Sequence, residues 1–324
     1  MPVRVGIIST AHMHVDGFSA GFQAHPDAEI VGVWDDDQSR GKSFCEERHL
    51  TFIDSLDSLL TECDAAIIFS ENLKHADHLE AALSADKHVL CEKPIAAHPD
   101  HLTRIQKAAQ ASNRVQATAF PCPHSPNFKS ALSKVENGDI GIALAVCATN
   151  QGTCPWGWFV EKSLSGGGAM IDHVVHVADL LRRLLDANPV SVQAQTGNNM
   201  YGMSWEDTAM VTVNFASGAF ATIDSSWSKP SDYHTWGNVC MNIVGEKGVI
   251  EVDLFAQGVQ LYSGSGMKHR PSGSNLDQLL VDDFLSAISG SRKPLATLDD
   301  GLWASRVALA AYQSVASGGE LASV

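Results

Sequence analysis

The chain reads as an α/β protein: a doubly wound parallel sheet over residues 1–120, then a second α/β domain over residues 121–324 built on a large, mostly antiparallel sheet. Three observations predict it. Through residue 120, short apolar runs alternate with helical patterns, as strands buried on both faces and covered by helices require. After Phe120 the alternation stops at Pro121, Pro123 and Pro126, and strand-like segments follow one another through tight turns, which implies antiparallel pairing. A length of 324 residues is enough for two cores.

In the first domain, strands are predicted at 3–8, 29–34, 65–69, 88–91 and 115–119, with helices at 18–23, 39–47, 56–60, 75–84 and 101–112. In the second, a helix at 127–136 leads to a strand near 142–149, and a long helix follows Gly166-Gly167-Gly168. Strands come next at 190–196, 209–215, 219–227, 239–244, 249–252 and 259–262, and helices at 276–289 and 302–317 close the chain. Thr297-Leu298-Asp299-Asp300 reads as the capping box of the last helix, and Gly318-Gly319 as its stop.

The bulk numbers exclude several partners. A net charge of −15, without any block of Lys or Arg, argues against a nucleic-acid backbone as partner. No stretch approaches the roughly 18 apolar residues of a membrane span, and Val3 opens a strand where a secretory signal would need a basic and then an apolar segment. A cytoplasmic location is expected. Seven scattered cysteines without a C-x-x-C suggest reduced thiols rather than a disulfide framework or a zinc knuckle.

The most informative stretch is His88-Val89-Leu90-Cys91-Glu92-Lys93-Pro94. Proline cannot extend a sheet ladder, so Lys93 falls at a strand's C-terminal edge, where doubly wound sheets bind ligands. There an ammonium can hydrogen-bond an alcohol oxygen and stabilise developing negative charge on it. A solvated lysine paired with Glu92 would explain the tripeptide equally well.

The loop after the first strand, Ser9-Thr10-Ala11-His12-Met13-His14, lacks the three glycines of a dinucleotide fingerprint. Ser9 and Ala11 are small enough for backbone amides to receive a diphosphate, whereas His14 occupies the third glycine's place. Asp35, about 20 residues on, suits the adenosine ribose hydroxyls. Asp36 and Asp37 would repel a 2′-phosphate, favouring NAD over NADP. Asn72 ends the strand that carries Ser70 and could reach the nicotinamide half. In the helix at 169–185, Asp172, His176 and Asp179 form one polar stripe at i, i+4, i+7. An ionised Asp172 in the first turn would raise the basicity of His176 for taking an alcohol proton; a solvent-facing stripe is the competing explanation. Asp179 suits a structural pair with Arg182 or Arg183.

Together these motifs resemble the Gfo/Idh/MocA oxidoreductases over nearly the whole chain. The resemblance rests on Asp64–Ile68, His75 ahead of Ala81-Ala82-Leu83, Lys87–Ile95, Gly166–Asp172, His176, Asp179-Leu180-Leu181, Glu206–Ala209 and Gly245–Ile250. It implies an N-terminal Rossmann domain, and a C-terminal domain whose open sheet serves as an oligomer interface, hence a homodimer or homotetramer. It also implies hydride exchange between NAD(P) and a sugar, cyclitol or related polyol. Lys93 would contact the reacting oxygen, His176 would be the acid/base, and Asp172 would support it and bind a hydroxyl. The expected cofactor residues are Ser9, Thr10, Ala11, His12, Asp35, Ser70, Asn72, His75, Glu92 and Lys93. The segment Cys122-Pro123-His124-Ser125 stands where many relatives carry an arginine; His124 with Trp158, Trp236, Asp172 and His176 makes up the expected substrate set. His12, His14, Cys122 and His124 lie on two loops without ligand spacing, so no metal is expected. Two other functions use the same parts: elimination or glycoside cleavage through transient oxidation with NAD recycled internally, and a sensor that kept the fold and lost the chemistry.

Overall fold

The computed structural model describes residues 1–233, 237–256, 258–263, 266–271 and 273–324. They form two compact units: Met1–Pro121 with Ser163–Ser165 and Leu276–Leu302, and Cys122–Lys162 with Gly166–Asn275 and Trp303–Val324. Among the described residues no helix is long and apolar enough to cross a membrane.

The first unit alternates strand and helix as its sequence demands: β1 (Val3–Ile8), α1 (Val15–Ala24), β2 (Ala28–Trp34), α2 (Gln38–Arg48), α3 (Leu56–Glu62), β3 (Ala65–Ile68), α4 (His75–Ser84), β4 (His88–Cys91), α5 (Pro99–Gln110) and β5 (Gln116–Thr118). The five strands form one parallel sheet in the order β2-β1-β3-β4-β5. Strand alternation sends side chains to opposite faces. Val5, Ile7, Ala65 and Ile67 meet Phe18 and Phe22 of α1 and Phe44 of α2 on one face. Ile8, Ala66 and Ile68 meet Leu59, Leu79, Leu83 and Ile105 on the other.

Beyond β5 the chain continues with α6 (Pro126–Glu136), β6 (Ala143–Gly152), the single turn α7 (Lys162–Ser165), α8 (Ala169–Leu185), β7 (Pro189–Gly197), β8 (Thr208–Phe215), β9 (Phe220–Ser226), β10 (Gly237–Gly245), β11 (Val249–Asp253), β12 (Gly258–Ser263) and β13 (Gly266–Pro271). α9 (Leu276–Gly290), α10 (Leu298–Ala316) and β14 (Ala322–Ser323) complete the chain. The main sheet runs β11-β10-β6-β9-β8-β7-β14, antiparallel except for the β6–β9 pair. Helix α8 packs on β6, β8 and β9. β12 and β13 form a separate hairpin.

The turn α7 and the strands β13 and β14 were not expected from the sequence, and α9 and α10 differ from its reading. α9 packs on α1 in the first unit, where Phe284 meets Phe22 edge to face at 6.5 Å. α10 starts at Leu298, four residues earlier than its apolar periodicity suggests, because Thr297 and Asp300 close the capping box reciprocally: Asp300 N donates to Thr297 Oγ1 (3.2 Å) and Thr297 N to Asp300 Oδ2 (2.9 Å).

Gly301, in the first turns of α10, abuts Ile95 and Thr118, and a Cβ there would overlap both. Alanine would raise helix propensity by about 1 kcal/mol, but overpacking costs about 1–3 kcal/mol. Gly301→Ala is therefore expected to lower the urea midpoint; an unchanged or raised midpoint would count against this packing.

Candidate active site

In the first unit, the predicted residues collect at the C-terminal ends of β1, β2, β3 and β4. Glu92 N donates to Ile68 O (3.0 Å) and Ala119 N to Cys91 O (2.8 Å), so neighbouring strands hold the end of β4 in place. Glu92 is wholly buried and Lys93 is 2% exposed; the Lys93–Pro94 peptide is cis. Glu92 Oε2 accepts from Lys93 N (3.1 Å), and its Oε1 lies 2.9 Å from His14 Nδ1 and 3.8 Å from His12 Nδ1. Burial alone would raise the Glu92 carboxyl, but His12, His14 and Lys93 outweigh it and hold the group well below the usual carboxylate range. Burial likewise opposes protonation of His14, and the Glu92 charge overrides it, so the imidazole is raised above its ordinary value.

The loop after β1 takes the turn of a glycine-rich loop with different residues. Ser9 adopts φ 65°, in the left-handed region. Its neighbours' amides have acceptors within the protein: Thr10 N donates to Asp35 Oδ2 (2.8 Å), His12 N to Phe69 O (2.9 Å) and His14 N to His12 Nδ1 (3.2 Å). Ala11 N reaches Ser9 Oγ at 3.3 Å.

Asp35 ends β2 and is buried, yet its carboxylate is heavily used. It accepts from Thr10 Oγ1 (2.6 Å) and from Arg40 Nε (3.0 Å) and Nη2 (2.7 Å). Burial works against its charge, and Arg40 and Thr10 prevail, leaving the carboxyl low. Arg40 also reaches Glu71 (3.2 Å) and Asp36 (3.3 Å), while Lys74 pairs with Asp36 and Glu71. Sequence reasoning missed Arg40, although an arginine five residues beyond the ribose acid is a visible signal. Asp37, read as a phosphate-repelling charge, caps α2 by accepting from Ser39 N and Arg40 N.

At the end of β3, Ser70 Oγ bonds His78 Nδ1 (2.9 Å), and burial lowers His78 to about 4. His75 places one ring nitrogen 2.8 Å from Pro94 O and the other 3.0 Å from Ser70 O. It thereby ties the loop after β3 to the loop after β4. Asn72 Nδ2 donates to Ser165 O (2.9 Å), and its Oδ1 is buried with no hydrogen-bond partner.

In the second unit, Asp172, His173, His176 and Asp179 are all buried on α8. Asp172 Oδ2 accepts from Trp227 Nε1 (3.0 Å) and lies 3.2 Å from His173 Nε2, whose ring also reaches Asn150 O (3.0 Å). Trp227 and His173 were not anticipated; the sequence offers only their apolar surroundings. Asp179 pairs with Arg183 through two nitrogens (2.8–3.0 Å), a structural role. The triple glycine admits protein rather than ligand: a Cβ at Gly167 would strike Tyr312, and one at Gly168 would strike Glu206. Glu206 Oε1 accepts from Gly168 N (2.7 Å), Met170 N (3.3 Å) and Tyr312 OH, capping α8. His124 is buried in a 3-10 turn against α8. Trp158 is half-buried and stacks on Phe159 at 3.9 Å. Trp236 lies outside the described residues.

Residues 3–120 match the model of an oxidoreductase family with an NAD-binding Rossmann fold, and residues 128–251 match the GFO/IDH/MocA C-terminal domain. The chain belongs to the GFO/IDH/MocA oxidoreductase family. It is 27% identical to 1,5-anhydro-D-fructose reductase of Ensifer adhaerens, over 90% of each chain, and 24% identical to inositol 2-dehydrogenase of Rhizobium meliloti, over 98% of each. The fold is shared with GenD2 of gentamicin A biosynthesis, solved in complex with NAD: TM-score 0.89, 22% identity, 100% of this chain and 96% of that one. The protein is thus an NAD-binding oxidoreductase of the kind that acts on CH–OH donors. Its residues fit that cofactor: Ser9 supplies the left-handed turn, and Asn72 Oδ1 offers a buried acceptor for a donor group.

His12, His14 and Glu92 bring ligand-type atoms within 4.8 Å of one another. The 2.9 Å His14–Glu92 contact is a direct hydrogen bond, which an imidazolium–carboxylate pair satisfies without an ion. Because His14 is raised on folding, the pair stabilises most below the ordinary histidine value, and the gain is lost as pH rises through the raised value. The urea-midpoint difference between the native protein and His14→Gln should shrink between pH 6 and 9. A difference that stays constant over that range would refute the ion pair.

Proposed function

We propose that the chain takes a hydride from a secondary hydroxyl of a sugar, cyclitol or related polyol, with NAD rather than NADP. The observation that carries this reading is Lys93, a buried cationic side chain fixed at the C-terminal edge of a parallel sheet beside a buried, charged Glu92. Lys93 would hydrogen-bond the reacting oxygen and stabilise alkoxide character as the C–H bond weakens. His176 would take the hydroxyl proton. Asp172, fixed by Trp227 Nε1, would position the histidine and bind a neighbouring hydroxyl. NAD, when bound, supplies the hydride acceptor.

On this reading Ser9, Thr10, Ala11 and His12 border the diphosphate, and Asp35 faces the adenosine ribose. Ser70, Asn72, Glu92 and Lys93 border the nicotinamide half, with His75 holding their two loops together. His124 and Trp158 belong to the substrate side. The names of relatives support the substrate class: besides the reductase and the inositol dehydrogenase, a D-glucoside 3-dehydrogenase of Escherichia coli is 24% identical over 98% of this chain. The carboxylates of Asp36 and Glu71 at the adenosine end favour a cofactor without a 2′-phosphate.

Self-association is part of the reading. Val190, Met210, Phe220, Val244 and Val249, from five strands of the seven-stranded sheet, are exposed. Such a surface favours burial against a second copy.

Lys93→Ala should lower kcat by about 10²–10⁴ while NAD binding, read by calorimetry, survives; turnover near the native level would defeat the assignment. In the same assay, NADH should accumulate with each turnover, which internal recycling would prevent. Prior treatment with EDTA should leave the rate unchanged, since no step calls on a metal.

A further inference from the structure

Within the second unit, four aromatic rings form a ladder that ends on Asp172. Trp156 and Tyr201 meet edge to face (5.3 Å, 82°), as do Trp156 and Trp205 (6.1 Å, 84°). Tyr201 lies 5.5 Å from Trp205, and Trp205 lies 5.2 Å from Trp227, whose Nε1 donates to Asp172 Oδ2. Exposure falls along the ladder: Trp156 is 47% exposed, Trp205 8% and Trp227 0%. The three inner rings are explained by packing, for Trp205 and Trp227 form a small core with Cys154, Phe159 and Ala169, and Tyr201 packs against it.

Trp156 is not. It has φ 56° and ψ −160°, a backbone region that is close to glycine-only, and its indole is 47% exposed. The neighbouring loop is equally fixed. Met200 N and Tyr201 N both donate to Asp207 Oδ2 (2.9 Å each), Tyr201 OH donates to Trp227 O (3.1 Å), and Trp227 N donates to Asp207 O (2.8 Å). The buried Asp207 thereby locks the Tyr201 loop to the strand end that bears Trp227.

We propose that Trp156, steadied by Tyr201 and Trp205, is an accessory subsite for the group attached to the oxidised sugar, so that the preferred substrates are glycosides rather than free monosaccharides or cyclitols. An immobile, half-exposed indole suits a flat apolar face, either the C–H face of a second pyranose or an aryl group. Through the buried Trp205 and Trp227 the same ring cluster ends on Asp172, the residue assigned to a substrate hydroxyl. The inference rests on the polyol dehydrogenase reading for the identity of the reacting ring; the subsite itself rests on the aromatic geometry alone.

The test measures binding apart from turnover. D-Glucose, cellobiose and phenyl β-D-glucoside are titrated into the full-length, NAD-loaded protein and followed by saturation-transfer NMR. The native protein should bind one or both glycosides about tenfold more tightly than glucose, a stacking-sized effect. Preference for phenyl glucoside alone identifies an aryl group, and for cellobiose alone a second sugar. Trp156→Ala should erase the preference and Trp156→Tyr should restore most of it, with circular dichroism checking the fold of both. Equal binding of all three ligands, or a preference that survives Trp156→Ala, overturns the proposal. If binding behaves as expected but no NADH forms from a bound glycoside, the dehydrogenase reading fails and the subsite stands.

Discussion

A carboxylate sealed from water sets the terms for the end of the first sheet. An ionised group as buried as Glu92 is costly unless charge and hydrogen bonds compensate it. The compensation comes from the His14 imidazole and from the Lys93 backbone amide. His14 sits in the loop after β1, so a glycine at that position would leave Glu92 without its imidazole partner. Once histidines occupy the loop, His12 Nδ1 takes up the His14 amide, and the loop's donors turn inward. The departure from the glycine-rich fingerprint is therefore the counterpart of a charge placed 78 residues later in the chain.

The second unit solves a related problem by dividing labour. A helix N-terminus favours negative charge, and α8 has two carboxylates near it. Glu206 satisfies the terminal amides through Gly168 N and Met170 N. Asp172, in the first turn, is relieved of capping, and its Oδ2 is held by the Trp227 indole instead. That leaves a charged group whose direction is set by a fully buried ring, a better fixed position than a flexible cap would give. The glycines before α8 make the arrangement possible, since side chains at Gly167 or Gly168 would collide with Tyr312 or Glu206.

These two sites differ in how far the sequence discloses them. β1, β3 and β4 were legible because strands buried on both faces leave uninterrupted apolar runs, and Lys93 was legible because Pro94 marks where β4 must stop. The i, i+4, i+7 stripe of α8 was visible for the same reason, periodicity. What stayed hidden is pairing across distance. Nothing local announces that His14 answers Glu92, or that Trp227 finds Asp172 55 residues upstream. The glycine triplet was visible, but whether a ligand or a protein side chain approached it depended on Tyr312, beyond five intervening strands of the main sheet. α9 reads as an ordinary amphipathic helix, and its place on α1 follows from Phe22 and Phe284 fitting together, which no periodicity encodes.

The corner around Asp35 shows how much a single expected residue leaves out. Asp35 is expected to face an adenosine ribose, yet its oxygens already serve Thr10 and Arg40. A ribose hydroxyl is a neutral donor and cannot match a guanidinium bound through two nitrogens. Arg40, however, is shared: Glu71 and Asp36 hold it as well. Loosening one Asp35 contact therefore leaves the guanidinium paired, and the change is a redistribution within the corner rather than the exposure of an isolated charge. The same sharing works against a 2′-phosphate. A dianion approaching Arg40 and Lys74 would have to displace the carboxylates of Asp36 and Glu71, leaving buried Glu71 without its cations. Charge at this corner is shared among five coupled side chains, of which the sequence reading singled out two, Asp35 and Asp36.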